Sequence, residues 1–480
     1  MVRCKINSWI DEHKEYLIEL SDSIWEYAEV GLMEYKSATL LSNELEKHGF
    51  NVCREVSGMP TAFTATWGKG TPVIGITGEY DALAGISQKK IPYKEPLVQG
   101  APGHGCGHNI HGVTGLAAAM ALRHTLIAEN LQGTLKFFGT PAEESYDAKV
   151  FMVRDGLFDD LDACFSHHPG NMNTAKLDSS NSEDIMKFHF FGKTSHAASS
   201  PEHGRSALDA IELMNAGVNY LREHVIDKAR MHYVIEDGGD QPNVVPDYAR
   251  SWYWLRAPER EQLKDIYDRV LKIAEGAALM TDTRFKMEYI VGAYNLIPNM
   301  ALSEIVLSNM REINAPKYSE DELQFAKKIG ESISKKQKST SLNTSKIPNW
   351  EKYVDVDLVD DIINPWREVV NAGGTDLADV SWKTPTMEFS TTTFVLGTPG
   401  HSWQNVACSG SSIGHKSLIF ASKVLAASAL DLFTNSVLLK KVKDEHIKRL
   451  RGRTYISPLP QETKPPLEMA RISAEKSKTK

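Results

Sequence analysis

Apolar residues near the start of the chain recur at the spacing of an amphipathic helix. Ile10, Leu17, Leu20 and Ile24 fall on one helical face, and Ser8 stands where an N-cap residue would. We therefore predict that the chain begins with a helix whose apolar face packs against a core.

Short and almost wholly apolar segments then alternate with a long alanine-rich segment. Segments 72–78, 133–139 and 162–166 have the length and composition of buried strands, and segment 111–129 has that of a helix. Strands that are apolar on both faces and separated by helices are typical of βαβ units. The prediction for this region is an α/β fold with a mostly parallel sheet.

The pattern changes beyond residue 182. Six segments follow the split-βαβ order strand, helix, strand, strand, helix, strand, which is typical of a small antiparallel sheet with two helices on one face. They are residues 185–191, 206–221, 231–236, 248–257, 259–279 and 285–291. Helical patterns at 301–313 and 416–432 then return to the first fold, so we predict a small α+β domain inserted into a larger α/β domain.

The predicted boundaries follow from these changes of pattern. Residues 1–182 and 298–440 form the two parts of the α/β domain, and residues 183–297 form the inserted domain. The second part contains a Lys- and Ser-rich stretch, residues 327–346, which we expect to be an exposed excursion. Residues 441–480 form a proline- and lysine-containing tail that we expect to pack loosely.

Composition narrows the class of protein. The 480 residues include 54 Lys and Arg against 62 Asp and Glu, a net charge of −8 that argues against nucleic acid as the main partner. The most apolar stretches, 112–128 and 417–433, contain charged residues, so we expect no membrane span. The N-terminus shows no apolar targeting segment. Five cysteines without a CxxC pair favour a reducing compartment, and we expect a cytoplasmic protein.

Polar clusters lie at the ends of three predicted strands. They are Gly-Glu-Tyr-Asp at 78–81, Pro-Ala-Glu-Glu at 141–144 and His-His-Pro at 167–169, and a Cys- and His-rich cluster at 103–111 precedes the alanine-rich helix. Ligands of open α/β sheets bind outside the carboxyl ends of the strands, so these clusters are expected to converge. Each cluster alone has an ordinary structural explanation. Together they supply the thiolate, imidazole and carboxylate ligands of Zn²⁺ or Mn²⁺ and favour a metal site.

These motifs resemble those of the M20 metallopeptidase/amidohydrolase family, in its aminoacylase-like branch. The segments that carry the resemblance are Cys-Gly-His-Asn at 106–109, Pro-Ala-Glu-Glu at 141–144, His-Pro at 168–169, Gly-Lys-Thr-Ser-His-Ala at 192–197, Asn-Val-Val-Pro at 243–246 and Gly-Thr-Pro-Gly-His-Ser at 397–402. The resemblance implies a two-metal catalytic domain and an inserted lid domain that mediates dimerisation.

The resemblance also implies a set of metal ligands. Cys106 corresponds to a bridging thiolate between two divalent ions, Mn²⁺ or Zn²⁺. The residues that complete the two sites are His108, Glu144, His168 and His401. Two neighbouring histidines remain alternatives: His415 could replace His401, and His167 is the less favoured partner of the 167/168 pair.

Other residues take catalytic and substrate-binding roles by the same resemblance. Glu143 corresponds to the general base and Asp81 to an acid that orients a metal ligand. His196, in the lid, matches a histidine that reaches the active site of the neighbouring protomer and steadies the tetrahedral intermediate. Asn243 and Arg256 would face the substrate, and the fork of Arg256 suits a carboxylate.

Two positions depart from the family pattern. Asn109 stands where many members have Asp, and Glu79 begins the Glu-Tyr-Asp that replaces an Asp-x-Asp. The role of Glu79 therefore stays open at this point.

The activity implied by the resemblance is hydrolysis of an N-acyl-amino-acid amide bond. The favoured substrate is p-aminobenzoyl-glutamate, a folate breakdown product, and a dipeptide or another N-acyl amino acid is the alternative. A non-catalytic member of a two-chain complex is the alternative from a different class. We expect either a homodimer or a heterodimer with a homologous chain of the A type, and neither a nucleic-acid nor a membrane partner.

Overall fold

The structure is a computed structural model that describes residues 2–344, 349–365 and 369–478. Residues 345–346, the end of the Lys- and Ser-rich stretch predicted to be exposed, lie outside the described residues. So do residues 479–480, the end of the predicted tail.

Twelve α-helices and β-strands precede the smaller domain in the described part of the chain. They are α1 (Val2–Glu12), α2 (Lys14–Tyr27), α3 (Tyr35–Lys47), β1 (Asn51–Arg54), β2 (Phe63–Lys69), β3 (Val73–Gly78), α4 (His108–Ala128), β4 (Gly133–Gly139), α5 (Glu143–Tyr146), α6 (Ala148–Arg154), β5 (Ala163–Gly170) and β6 (Thr174–Ala175).

The smaller domain and the rest of the chain follow. The smaller domain contains β7 (Ser182–Phe191), α7 (Ala207–Leu221), β8 (Arg230–Asp237), β9 (Tyr248–Ala257), α8 (Arg260–Thr281) and β10 (Arg284–Ala293). After it come α9 (Met300–Ile313), α10 (Glu320–Gly330), α11 (Lys335–Thr344), α12 (Leu377–Lys383), β11 (Thr386–Thr392), α13 (Trp403–Ser409), α14 (Ser412–Thr434), α15 (Ser436–Leu450) and α16 (Leu467–Lys478).

Within the described residues, seven strands form the main sheet, in the order β1-β2-β4-β3-β5-β11-β6. The four central strands β4, β3, β5 and β11 are mutually parallel, and antiparallel strands border them on both sides. Helix α4 lies closely against β3, where a Cβ on Gly115 would stand only 2.8 Å from the carbonyl oxygen of Thr77. The predicted α/β fold with a mostly parallel central sheet is confirmed.

The smaller domain has a four-stranded antiparallel sheet, in the order β10-β7-β9-β8. Helices α7 and α8 pack together against this sheet and enclose a separate apolar core that includes Phe188, Tyr253 and Ile266. The burial of β9 alternates strictly, as expected of a sheet with one covered face. The order of elements is the predicted split-βαβ order, so the α+β character of the inserted domain is confirmed.

The first helix differs from its prediction. Two helices, α1 and α2, occupy this segment, and Ser8 lies inside α1 rather than at an N-cap. Ile6 is buried together with Ile10, so the apolar face begins a turn earlier than the pattern suggested. His13 separates the helices with a non-helical backbone (φ −104°, ψ 11°).

Helix α14 corrects the expectation that segment 417–433 falls short of a membrane span. Its length and hydropathy would allow it to cross a membrane, but 83% of its most apolar stretch is buried inside the structure. It packs against α4 and α9 in the core of the α/β domain. Burial in a core explains its composition.

The C-terminal tail and the Lys- and Ser-rich stretch are both more ordered than composition suggests. Leu459 and Ala470 are buried, and Tyr455 donates a hydrogen bond of 2.7 Å to Asp379, so the expectation of a loosely packed tail is wrong for residues 441–470. The described part of the Lys- and Ser-rich stretch belongs to α10 and α11. It is largely exposed and is held by buried side chains such as Ile329 and Leu342.

Candidate metal centre

The polar clusters meet at the carboxyl ends of β3, β4 and β5, beside the start of α4. His167 and His168 lie inside β5 rather than after it, because β11 extends the pairing: Phe389 lies opposite His167 and Ser390 opposite His168. The sequence did not predict β11, whose composition is largely polar. The site is thus built on sheet and helix ends rather than on long loops, which favours rigid positioning of its side chains.

All five predicted ligands fall into two groups that share one residue. Possible ligand atoms of Cys106, His108 and His168 lie within 4.8 Å of one another, and so do those of Cys106, Glu144 and His401. Cys106 therefore stands between the two groups. This is the arrangement that a bridging thiolate requires.

Asp81 orients members of both groups. Its Oδ1 lies 2.8 Å from Nδ1 of His108, and its Oδ2 accepts a 3.0 Å hydrogen bond from the backbone N–H of Glu144. His108 is fully buried, and its Nε2 has no hydrogen-bond partner among the described residues. Burial disfavours protonation of His108, but the carboxylates of Asp81 and Glu79 outweigh burial and raise the pKa of the imidazole well above its usual value.

The hydrogen bonds of the two adjacent histidines separate their roles. Nδ1 of His168 lies 2.9 Å from the carbonyl oxygen of Pro169, which can only accept, so Nδ1 carries the proton and Nε2 is left as a donor to a metal. His167 points to the other face of β5, where its Nε2 lies 2.7 Å from Oγ1 of Thr391 and its ring packs on Phe389. The geometry favours His168 as the ligand.

A strained turn places Glu143 and Glu144 at the start of α5. Ala142 before them has a left-handed backbone (φ +56°) and donates its N–H to Oε1 of Glu34 at 2.8 Å. Thr61 donates to the other carboxylate oxygen of Glu34, also at 2.8 Å. Glu34 is fully buried and lies 108 positions before Ala142 in the sequence. No pattern in the sequence indicated that it supports this turn.

The environment of Glu143 favours a proton-carrying role. Burial, followed by the nearby carboxylates of Glu79 and Glu144, raises the pKa of Glu143 well above its usual value, and Lys149 opposes that shift. A carboxylate with a raised pKa is a stronger base and can later act as an acid.

A buried chain of charges lies beneath the site. Lys149 is fully buried, and its Nζ lies 2.6 Å from Oε1 of Glu79 and 2.6 Å from Oδ1 of Asp376. Its backbone N–H also donates to Asp376. Neither Lys149 nor Asp376 carried a signal in the sequence, since their roles depend on contacts between residues 227 positions apart.

The structure separates His401 from His415. Nε2 of His401 lies 3.1 Å from Oε2 of Glu144, inside a ligand group, whereas Nε2 of His415 lies 3.0 Å from Oδ1 of Asp22 and belongs to neither group. Of the two histidines, His401 is the one in a position to complete the second site.

We expect His401→Gln to lower the affinity for the ion of the group formed by Cys106, Glu144 and His401 by at least ~10-fold, since a ligand is lost. His415→Gln is the matched control and should bind both ions as the unmodified chain does. Metal titration of the purified proteins by calorimetry measures both. Loss of metal from the His415 variant alone would reverse the assignment.

A cleft of about 700 Å³ opens over the site between the two domains. Arg256 enters it from β9: its guanidinium stacks 4.8 Å over Trp254, its Nε lies 3.2 Å from Glu183, and Nη1 donates to the carbonyl of Ala372 at 3.3 Å. Arg256 thus lines the cleft in the same chain as the two ligand groups.

His196 and Asn243 do not line this cleft. Both are exposed, and they lie together because the chain around His196 forms a β-bridge with Val244 and Ala197 donates to the carbonyl of Asn243 at 3.0 Å. Nδ1 of His196 accepts 3.1 Å hydrogen bonds from the N–H groups of Ala198 and Ser199. Their predicted role therefore stays a prediction that depends on a second chain.

The donor set fits two divalent cations. Burial, followed by the charge of Glu144, raises the pKa of the Cys106 thiol, so a thiolate here needs compensating positive charge of the kind that metal ions supply. Within the described part of the chain, buried Oε1 of Glu144 and Nε2 of His108 have no hydrogen-bond partner, so both remain available as donors. Sulfur, nitrogen and oxygen donors together suit divalent transition-metal ions.

Comparison with known proteins identifies the family. The model of the family described as "Peptidase family M20/M25/M40" matches residues 75–428. The chain belongs to this family of hydrolases, which confirms the resemblance drawn from the motifs. It is a metal-dependent amidohydrolase or peptidase by class.

Individual relatives cover nearly the whole chain. The B chain of the p-aminobenzoyl-glutamate hydrolase of Escherichia coli (strain K12) is 38% identical over 475 residues, which is 96% of this chain and 98% of the relative. The Xaa-Arg dipeptidase of Mus musculus is 29% identical and covers 91% of this chain and 90% of its own length. The structure of an aminobenzoyl-glutamate utilization protein from Klebsiella pneumoniae superposes with a TM-score of 0.59 at 16% identity, over 89% of this chain and 98% of that one, and shows the shared fold.

Proposed function

We propose that this chain hydrolyses the amide bond of an N-acyl amino acid, with p-aminobenzoyl-glutamate as its substrate, and uses two divalent cations held around Cys106. The observation that carries the proposal is the pair of ligand groups that share Cys106, with Glu143 beside them. We propose Mn²⁺ or Zn²⁺ as the ions, held by Cys106, His108 and His168 on one side and by Cys106, Glu144 and His401 on the other.

Each residue has a defined part in this proposal. The bound cations would supply Lewis acidity toward the scissile carbonyl and the attacking water. Glu143 accepts the proton of the water through its carboxylate and returns it to the nitrogen of the leaving amine. Asp81 keeps Nε2 of His108 directed into the site. Arg256, whose Nε and Nη1 face Glu183 and the carbonyl of Ala372, offers its positive charge to a substrate carboxylate.

The substrate is proposed from the relatives and from Arg256 together. The Escherichia coli relative is named for p-aminobenzoyl-glutamate, a substrate with the carboxylates that Arg256 suits. A dipeptidase is the second candidate, because carboxylates of Asp147, Asp178 and Glu183 also line the cleft and could receive a cationic side chain, as the name of the Mus musculus relative suggests.

A panel of substrates tests the proposal. The purified, metal-loaded chain should release glutamate from p-aminobenzoyl-glutamate faster than it releases amino acids from Xaa-Arg dipeptides or from benzoyl- and acetyl-amino acids. Release is measured by separating the free amino acids. Preferred cleavage of Xaa-Arg would favour the second candidate, and no hydrolysis by a chain that holds two ions would favour a non-catalytic member of a complex.

The partner and the location are parts of the same proposal. The Escherichia coli relative is named as the B chain of its hydrolase, and the A chain of that hydrolase is itself 28% identical to this protein over 303 residues. These names support a complex with a homologous chain of the A type, although a homodimer would equally bring His196 of one chain toward the cleft of another. Five free cysteines support a reducing, cytoplasmic location. Mixing the chain with a homologue of the A type and measuring mass in solution would decide between the two assemblies.

A further inference from the structure

We infer that Glu79 is a further metal-binding residue, which would share an ion with His108 of the group formed by Cys106, His108 and His168. Possible ligand atoms of Glu79, His108 and Glu143 lie within 4.8 Å of one another. The inference rests on the proposed metal centre and assigns a role to the residue that the motif comparison left open.

The first observation is the direction of one oxygen of Glu79. Oε2 lies 3.2 Å from Nε2 of His108, the nitrogen left free by the bond between Nδ1 and Asp81. Oε2 and Nε2 are both buried, and neither has a hydrogen-bond partner among the residues that the structure describes. Two donors bound at about 2.1 Å to one ion stand about 3.0–3.4 Å apart at octahedral or tetrahedral angles, so the observed spacing suits a shared ion.

The second observation is how Glu79 is held. Its other oxygen, Oε1, is fixed at 2.6 Å by Lys149, which is anchored in turn by Asp376. The carboxylate therefore cannot turn Oε2 away from His108 without breaking a fully buried ion pair. Such support of a ligand from behind is typical of metal sites.

The third observation is the balance of buried charge. Lys149 is shared between two carboxylates, Glu79 and Asp376, and Oε2 of Glu79 faces two imidazoles, with Nε2 of His108 at 3.2 Å and Nε2 of His111 at 3.5 Å. Glu79 is 3% exposed, so water does not solvate its charge. A buried carboxylate needs positive charge beside it, and a divalent cation against Oε2 would supply that charge in addition to Lys149.

The two metal sites would then differ in their number of protein donors. One would have four protein donors: sulfur of Cys106, nitrogens of His108 and His168, and oxygen of Glu79. The other has three, from Cys106, Glu144 and His401, and its His401 side chain is 55% exposed. Sites with four protein donors are typically closed and tightly bound, whereas sites with three keep a position open for water or substrate. We expect one tightly held ion and one exchangeable ion.

The test is metal binding by Glu79→Gln, which preserves the size of the side chain and removes its charge. The apo chain is titrated with Zn²⁺ alone by calorimetry, and bound metal is counted after gel filtration. The unmodified chain should show two steps. The variant should lose about 10–100-fold in the affinity of the tighter step and keep the weaker one.

Three further measurements make the result decisive. Asp147→Asn, which changes a carboxylate of the same cleft that lies in none of the ligand groups, is the matched control and should retain both steps. Equal melting temperatures of the apo proteins would show that Glu79→Gln folds. If it does not fold, a crystal structure of the unmodified chain with one equivalent of Zn²⁺ replaces it, and an oxygen of Glu79 about 2.0–2.2 Å from the ion is expected.

The outcomes that overturn the inference differ from those that overturn the proposed function. An unmodified chain that binds no divalent ion would remove the metal centre itself. Two ions in the unmodified chain with unchanged affinity in Glu79→Gln, or an oxygen of Glu79 more than 3 Å from the ion, would leave the centre intact and reduce Glu79 to a charge partner of His108.

Discussion

Glu143→Gln is expected to reduce kcat on p-aminobenzoyl-glutamate by about 10²–10⁴-fold while both metal ions stay bound. Glutamine has nearly the same size and cannot accept the proton of the attacking water. Burial and the neighbouring carboxylates of Glu79 and Glu144 raise the pKa of Glu143, which makes its carboxylate a stronger base. Steady-state kinetics measure kcat, and metal analysis of the same preparation measures the number of bound ions.

Asp147→Asn is the matched control for this prediction. Asp147 also lines the cleft, directly after α5, but it lies outside the ligand groups, and asparagine tolerates its left-handed backbone (φ +48°). This variant should lose far less turnover than Glu143→Gln. Normal turnover by Glu143→Gln would show that the general base has been assigned to the wrong residue.

Cys106→Ala should weaken metal binding more than Glu143→Gln does. Cys106 is common to both ligand groups, so its loss leaves each group one donor short at the same time. We expect the affinity for both ions to fall by more than ~100-fold, beyond the loss typical of residues that only support a ligand, and hydrolysis to become undetectable. Calorimetric titration with Zn²⁺ or Mn²⁺ measures the affinity of each step.

Two companion variants sharpen the result. Cys53→Ala removes an exposed cysteine on β1 and should bind both ions normally. Cys106→Asp should recover part of the affinity, because a carboxylate has two oxygens that can each face one ion. If Cys106→Ala lost only one of two ions, Cys106 would belong to a single site and would not bridge.

The site residues whose convergence the sequence predicted share one property. They follow, or stand inside the end of, strands that are apolar enough to be recognised, and the carboxyl ends of parallel strands must meet at one edge of the sheet. For that reason Glu144 and His168 could be expected to converge from the sequence alone, and Cys106, which stands directly before α4, was expected to join them at this edge. Their assignment to a metal still depended on the family resemblance, since each cluster alone has an ordinary explanation.

The supporting residues could not be found in this way. In the sequence, Lys149 and Asp376 are charged residues of the kind that usually lie on exposed helices and loops. Only the folded chain shows that they form a buried ion pair. Strand β11 was missed for a similar reason: Thr391 and Thr392 look polar but are buried, with their hydroxyls bonded to Ser417 at 2.5 Å and to Val359 at 2.6 Å. Hydrogen bonding inside the core hides such residues from any hydropathy pattern.

Asn109 departs from the family pattern, and hydrogen bonds within the fold explain this departure. Its amide nitrogen donates to the hydroxyl of Ser21 and to the carbonyl of Ser409, each at 3.1 Å. The residue ties α2 and the end of α13 to the start of α4. These hydrogen bonds explain its position beside the candidate metal ligands.

The insertion of one domain into the other dictates an order of events during synthesis. Residues 182–293 are contiguous and complete their own sheet, so they can fold as soon as they leave the ribosome. The main sheet must wait for β11, and the second ligand group must wait for His401, which is made 295 positions after Cys106. A nascent chain that has not yet reached β11 and His401 therefore has an incomplete site and exposed apolar surface. Binding of the second ion would follow the completion of the main sheet.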